Sequence, residues 1–220
     1  MDVIGRAYEP RAEAVASGRF RDGFVVLFQL ALPVLLLMAL GAAAFVYGDR
    51  PVAWLGMHTA QWLTLGHLMV PLTFFAIQLT NRRYGAGYAV AQIVLAWAIG
   101  AAMSWAILAD LPGLLGRTLP DAHTALAFGG ALFLAQLFSV LVFDRTRGPR
   151  WWTAPFLSTL WGGLLLCLIA FPVVYMGTAV DWFACLAVYA GVMAAAAVLL
   201  LVPYWLLRRV VPPLSGFGGY

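Results

Sequence analysis

Six runs of about 20 or more mostly apolar residues, near 24–47, 61–80, 84–109, 122–143, 153–177 and 182–207, decide what this chain folds into. A run of that length spans the hydrocarbon of a bilayer when it is helical. Lipid offers the backbone no hydrogen-bond partner, and a helix satisfies its own amides and carbonyls within one segment. The predicted fold is therefore all-α: an integral membrane protein of six transmembrane helices. Only 10% of the residues are charged, where a soluble domain carries about 25%, so too little polar surface exists to cover a water-facing globule. The expected organisation is a cytoplasmic N-terminal tail over 1–23, the six-helix domain over 24–208 and a cytoplasmic C-terminal tail over 209–220. The short apolar stretch 51–60 either extends the second span or lies at the interface. The N-terminal segment does not read as a cleavable signal: acidic Asp2, Glu9, Glu13 and Asp22 are mixed with its arginines, and the apolar run behind it is long enough to span.

The arginines set the direction. All thirteen basic residues are Arg, and eleven fall in the N-terminal segment (Arg6, Arg11, Arg19, Arg21) or after the even-numbered spans (Arg82, Arg83; Arg145, Arg147, Arg150; Arg208, Arg209). Arg50 and Arg117 alone fall on the other side. The positive-inside rule then places both termini in the cytoplasm of a multi-pass protein of the inner membrane. Spans one to three end outside and spans four to six return, so the two halves have opposite topology, a three-plus-three plan that many transporters use. No sequence repeat joins the halves.

All nine acidic residues lie in loops, tails or span ends. An ionised side chain at the bilayer centre usually marks an ion or proton path, and its absence argues against a carboxylate relay. His58, His67 and His123 form no facing pair that would hold a haem; only His67 is expected well inside a span. Cys167 and Cys185 lie in apolar runs and read as packed thiols. No cofactor, metal cluster, nucleophile–base pair or phosphate loop is apparent, which argues against an enzyme and against a nucleic-acid partner.

The chemistry that remains is neutral. Gln61, Thr64, His67, Thr73, Gln78 and Thr80 fall in span two, Gln92 and Ser104 in span three, Gln136 and Ser139 in span four, and Ser158 and Thr159 in span five. Amides and hydroxyls in lipid need partners, so these side chains face the interior, either as bonds between helices or as a polar pocket among spans two, four and five. Gln136 and Ser139 share a helix face, as do Thr64 and His67. Ser158 with Gly162, and Thr159 with Gly163, are small-residue pairs that let helices approach closely. His67 is the only candidate to carry a proton, since imidazole titrates near neutral pH; the preferred reading is a neutral ring bonded to a neighbouring helix.

Residues 135–171, AQLFSVLVFDRTRGPRWWTAPFLSTLWGGLLLCLIAF, resemble the VUT family of six-helix queuosine precursor transporters. In that family a Q-hydrophobic-hydrophobic-D-V-x-x-F helix end precedes a basic loop, a Trp pair and an A-P-x-x-S-T-L helix start. Here Gln136, Val140, Phe143, Arg145, Arg147, Trp151, Trp152, Ala154, Pro155, Ser158, Thr159 and Leu160 fall on that pattern. The stretch 74–85, FFAIQLTNRRYG, is similar to a second family motif, and weaker matches involve Gly56–Thr59, Pro71 and Pro203–Tyr204. The resemblance implies uptake of a deazaguanine base across the inner membrane. The substrate-binding residues then expected are Gln78, Gln136, Ser139, Ser158, His67 and Trp161, with Trp62, Trp97, Phe75 and Phe138 as further aromatic walls. The sequence departs from the family at charged positions: Gln78 and Ser139 stand where the family has Asp, Gly163 and Leu166 where it has Asn and Asp, and Met193 where it has Lys. Two other readings stay open. One is a vitamin-binding subunit of an energy-coupling-factor importer, with Ala39 and Ala43 as contacts. The other is a non-transporting subunit of a larger membrane complex, or a homo-oligomer, that kept the fold.

Overall fold

In the computed structural model the described residues are 12–48, 50–52, 63–107 and 122–213; His58, Gln61, Trp62, Arg117 and the motif residues Gly56–Thr59 lie outside them. The described residues form seven helices: α1 Ala12–Val46, α2 Leu65–Tyr84, α3 Ala86–Ile107, α4 Ala122–Arg145, α5 Thr153–Tyr175, α6 Trp182–Leu199 and α7 Leu201–Leu207. α6 and α7 together make the sixth expected span, a stretch of 26 residues apolar enough to cross a membrane. They part at Leu200 because Pro203 has no amide to give the carbonyl one turn back. α1 begins well before residue 24, so much of the segment read as a tail continues the first helix; its Ala, Glu and Arg content favours helix.

Among the described residues five helical stretches are long and apolar enough to span; α2 is not one of them. The reason is its composition, which its position permits. α2 packs against α1, α3, α4, α5 and α6, and 11 of its 20 residues are buried, including Thr73, Gln78, Thr80, Asn81 and Arg82. By contrast 17% of the α1 span is buried. Its polar Thr73, Gln78, Thr80, Asn81 and Arg82 make α2 less apolar than the other long helices, and their burial against neighbouring helices gives them partners in protein rather than lipid.

The start of α2 is tied to the end of α1. Thr64 caps it in extended geometry, and Pro51 pairs with Thr64 in an antiparallel bridge. The first free amides of α2 go to the preceding segment: Leu65 N–H to Arg50 O at 2.8 Å and Gly66 N–H to Tyr47 O at 2.9 Å. Val52 and Leu63, beside these bonds, are buried in the main apolar core with Val70, Phe74, Leu166 and Tyr189. At the other end Gly85 turns the chain from α2 directly into α3 with φ 92° and ψ 174°, a region that only glycine enters easily.

The Arg-bearing ends of α2, α4 and α7 meet. Arg147 Nη2 donates to Asn81 O at 2.6 Å and to the Asn81 side-chain oxygen. Arg147 Nε lies 3.0 Å from Asp144 Oδ1, an ion pair by distance whose N–H does not point at that oxygen. Arg82 is buried; its Nε donates to Val211 O at 2.9 Å and its guanidinium lies over the Tyr204 ring. Arg208 lies over Trp151. The Arg-bearing segments after the second, fourth and sixth spans therefore share one end of the bundle.

Candidate functional site

A polar cluster lies between α2, α4 and α5, in the half of the bundle nearer the Arg-rich end. Gln78 on α2 is its centre. Its Nε2 lies 2.8 Å from Ser158 Oγ, 2.6 Å from Thr159 Oγ1 and 3.1 Å from Pro155 O, all on α5. One turn along α2, Phe74 meets α5 at Gly162. A Cβ on that glycine would stand 2.7 Å from the Phe74 ring and 3.0 Å from Ser139 Cβ of α4. Gly162 is therefore the point at which three helices converge, and its lack of a side chain permits it.

Gln136 on α4 sits in a second, linked network. Its Oε1 accepts from Trp97 Nε1 of α3 at 2.8 Å, and its Nε2 donates to Thr73 Oγ1 of α2 at 3.0 Å. Thr73 in turn donates to Val70 O, and Ser139 Oγ donates to Gln136 O. One amide thus joins three helices. Replacing Gln136 by Leu is expected to cost about 1–2 kcal/mol, because the Trp97 and Thr73 groups lose their partner while lipid-side bonds of this kind are individually modest. Unfolding in detergent against wild type checks this.

The positions that depart from the family lie together. Gln78 and Ser139 belong to the cluster just described. Met193 of α6 packs on Gly163: a Cβ there would stand 2.6 Å from the Met193 methyl carbon. Leu166 lies on the same α5 face and is fully buried in the same core as Met193. Cys167 and Cys185 belong to that core as free thiols.

Two expected site residues lie elsewhere. His67 stands in the first turn of α2, about 16 Å along the helix from Gln78. Its Nδ1 receives the Thr64 amide at 3.2 Å and lies 2.8 Å from Thr64 Oγ1, closing a reciprocal cap. Its ring packs edge-on against Phe128 and Tyr189, and the Tyr189 hydroxyl donates to its carbonyl at 2.9 Å. Trp161 is 49% exposed on the outer face of α5. Of the other aromatic candidates, Trp97 joins the Gln136 network, Phe75 packs against Tyr204 and Phe138 is exposed. Thr73, Thr159 and the Pro155 carbonyl belong to the cluster although the sequence pattern does not single them out as binding groups. Thr159 and Pro155 are four apart on one helix face, and that spacing is the signal that could have found them.

The fold and the cluster define a multi-pass membrane protein with an uncharged polar centre. Over 124 residues, 52% of this chain, it is 36% identical to the "Queuosine precursor transporter" of Escherichia coli (strain K12). The matched stretch is 54% of that protein, so the chain spans about half the length of the relative it matches. The resemblance to the queuosine precursor transporter family read from the motifs is borne out by this likeness. No family model and no solved structure matches the chain.

Proposed function

We propose that this protein imports a small planar molecule of the queuosine-precursor type, a deazaguanine base or a close relative, across the inner membrane. The Arg-rich end faces the cytoplasm in this reading. The observation that carries it is the buried, uncharged set of amides and hydroxyls on α2, α4 and α5, in a chain 36% identical over 124 residues to a queuosine precursor transporter. A planar base with several N–H and ring acceptors suits walls of this kind. Gln78, Gln136, Ser139 and Ser158 are the residues assigned to bind it. Cells that lack their own importer and express this chain are expected to accumulate a labelled deazaguanine base. Accumulation no greater than with an empty vector removes the substrate assignment.

Uptake is expected to be passive, with the base trapped by its later metabolism. The spans hold no carboxylate, and His67 Nδ1 already serves as acceptor for Thr64. Collapsing the proton gradient with an uncoupler should leave the initial uptake rate unchanged. A rate that falls in step with the gradient would show coupling and refute this part of the reading.

A further inference from the structure

The arginines at the Arg-rich end of the bundle are of two kinds. Arg82 and Arg147 give N–H groups to carbonyls of the fold. Arg208 and Arg209, just past the end of α7, do not. Each guanidinium lies over an indole, Arg208 over Trp151 and Arg209 over Trp205, both 5.4 Å from the ring centroid. A ring takes the flat face of a guanidinium and leaves the N–H groups at its edge to another partner. Among the described residues no carboxylate, carbonyl or hydroxyl takes them from Arg208 or Arg209. Two carbonyls close by in the chain are already used: Tyr204 O accepts from Arg208 N–H, and Leu207 O from the amides of Val210 and Val211.

Acids that could neutralise the pair are held elsewhere. From α4 onward the chain has Asp144, which lies beside Arg147, and Asp181, which caps α6 at the far end of that helix. Glu13 and Asp22 belong to α1, which packs on α2 and α3. Two guanidinia on consecutive residues, each seated on a ring and without a counter-charge, suit an anion that accepts several hydrogen bonds at once, as a phosphate does. The setting narrows the source of that phosphate. Val202, Trp205 and Leu206 of α7 are exposed, and indoles beside arginines at a helix end are what the headgroup level of a bilayer favours. A free phosphate ion would meet the arginines alone. A phospholipid would also lay its acyl chains on the apolar side chains of α7.

We propose that Arg208 and Arg209 bind the headgroup phosphate of an anionic phospholipid at the edge of the bundle formed by α7 and the start of α5. The site holds whatever the α2–α4–α5 cluster takes, and it is independent of the transporter reading. The test mixes the purified full chain in a neutral detergent with equal amounts of phosphatidylglycerol and phosphatidylcholine of the same chain length. Native mass spectrometry reads the lipid that stays bound. Phosphatidylglycerol is expected to be kept in preference by about tenfold or more, since two arginines at the headgroup act together. Arg208→Gln with Arg209→Gln should lower that preference to about twofold or less. Arg83→Gln with Arg145→Gln removes the same charge from exposed positions at the same end, and should leave the preference as it is. Inorganic phosphate at the lipid's concentration should displace none of it. Melting in phosphatidylcholine alone, where both double variants should match wild type, separates loss of the site from loss of the fold; Arg209→Gln alone, at an exposed position, carries the test if the double variant unfolds, and should lower the preference at least about threefold. Equal retention of the two lipids overturns the proposal. An equal loss of preference in the two double variants also overturns it, because net charge would then suffice. Displacement by inorganic phosphate overturns the assignment to a lipid.

Discussion

Changing Gly66 to alanine is expected to cost about 3 kcal/mol or more and to leave little folded protein. A Cβ at this position would stand 2.2 Å from Ala44 O and 2.8 Å from Gly48 Cα. Both are backbone atoms, so no side chain can rotate out of the way. α2 would have to move off the end of α1. That movement breaks the bonds from Leu65 N–H to Arg50 O and from Gly66 N–H to Tyr47 O, and it draws buried Val52 and Leu63 out of the core. Backbone amides stranded in an apolar interior add their own penalty to the clash. Gly130 and Gly191 are also helical, and a Cβ added to either would have nothing within 4 Å. Their alanine variants should be neutral or slightly stabilising, since alanine is the better helix former. Melting curves and gel filtration of the three variants in one detergent make the comparison. A Gly66→Ala protein that melts like the other two would show that α1 and α2 are not welded at this point.

The spans were legible because apolar runs of that length leave the backbone few alternatives. Their ends were less so, for particular reasons. The second helix starts at Leu65 because Thr64 adopts extended geometry and pairs with Pro51, a contact across a loop that periodicity does not encode. Arg82 counts as an ordinary cytoplasmic arginine in the sequence, yet it is buried because the carbonyl of Val211 reaches it from the far end of the chain. Helix faces were readable, both in the site and at the start of α2. Gln136 and Ser139 do share a side, and Thr64 does meet His67. Partners were not readable: nothing local to Gln78 says that Ser158 and Thr159, some eighty positions on, will hold its amide. Trp161 shows a signal that was present and not used. Ser158, Thr159, Gly162 and Gly163 form the inward stripe of α5, and at 100° per residue position 161 falls on the opposite side.

The departures from the family motif make the last test, because the fold brings them together. Leu166→Asp alone is expected to destabilise the protein by about 3–5 kcal/mol, since it places a carboxylate with no counter-charge in an interior that water does not reach. Leu166 is fully buried, in the company of Val70, Phe171 and Met193. Met193→Lys alone should be comparably harmful, because it strands an ammonium in the same core and removes the side chain that fills the space over Gly163. The two changes together restore the acid and the base that the family motif carries at these positions. Their combined effect should therefore fall short of the sum by about 2 kcal/mol or more. Such coupling requires the two side chains to reach each other, as their shared core and the contact of Met193 with the Leu166 face of α5 allow. The cycle of four proteins, unfolded in the same lipid nanodiscs, measures it directly. Coupling of this size means that the two positions act as a unit: an acid at 166 is tolerated only with a base at 193, and Leu with Met leaves an interior that is uncharged and still well packed. Strict additivity means that the two side chains do not sense each other, and each substitution would then act on the core by itself.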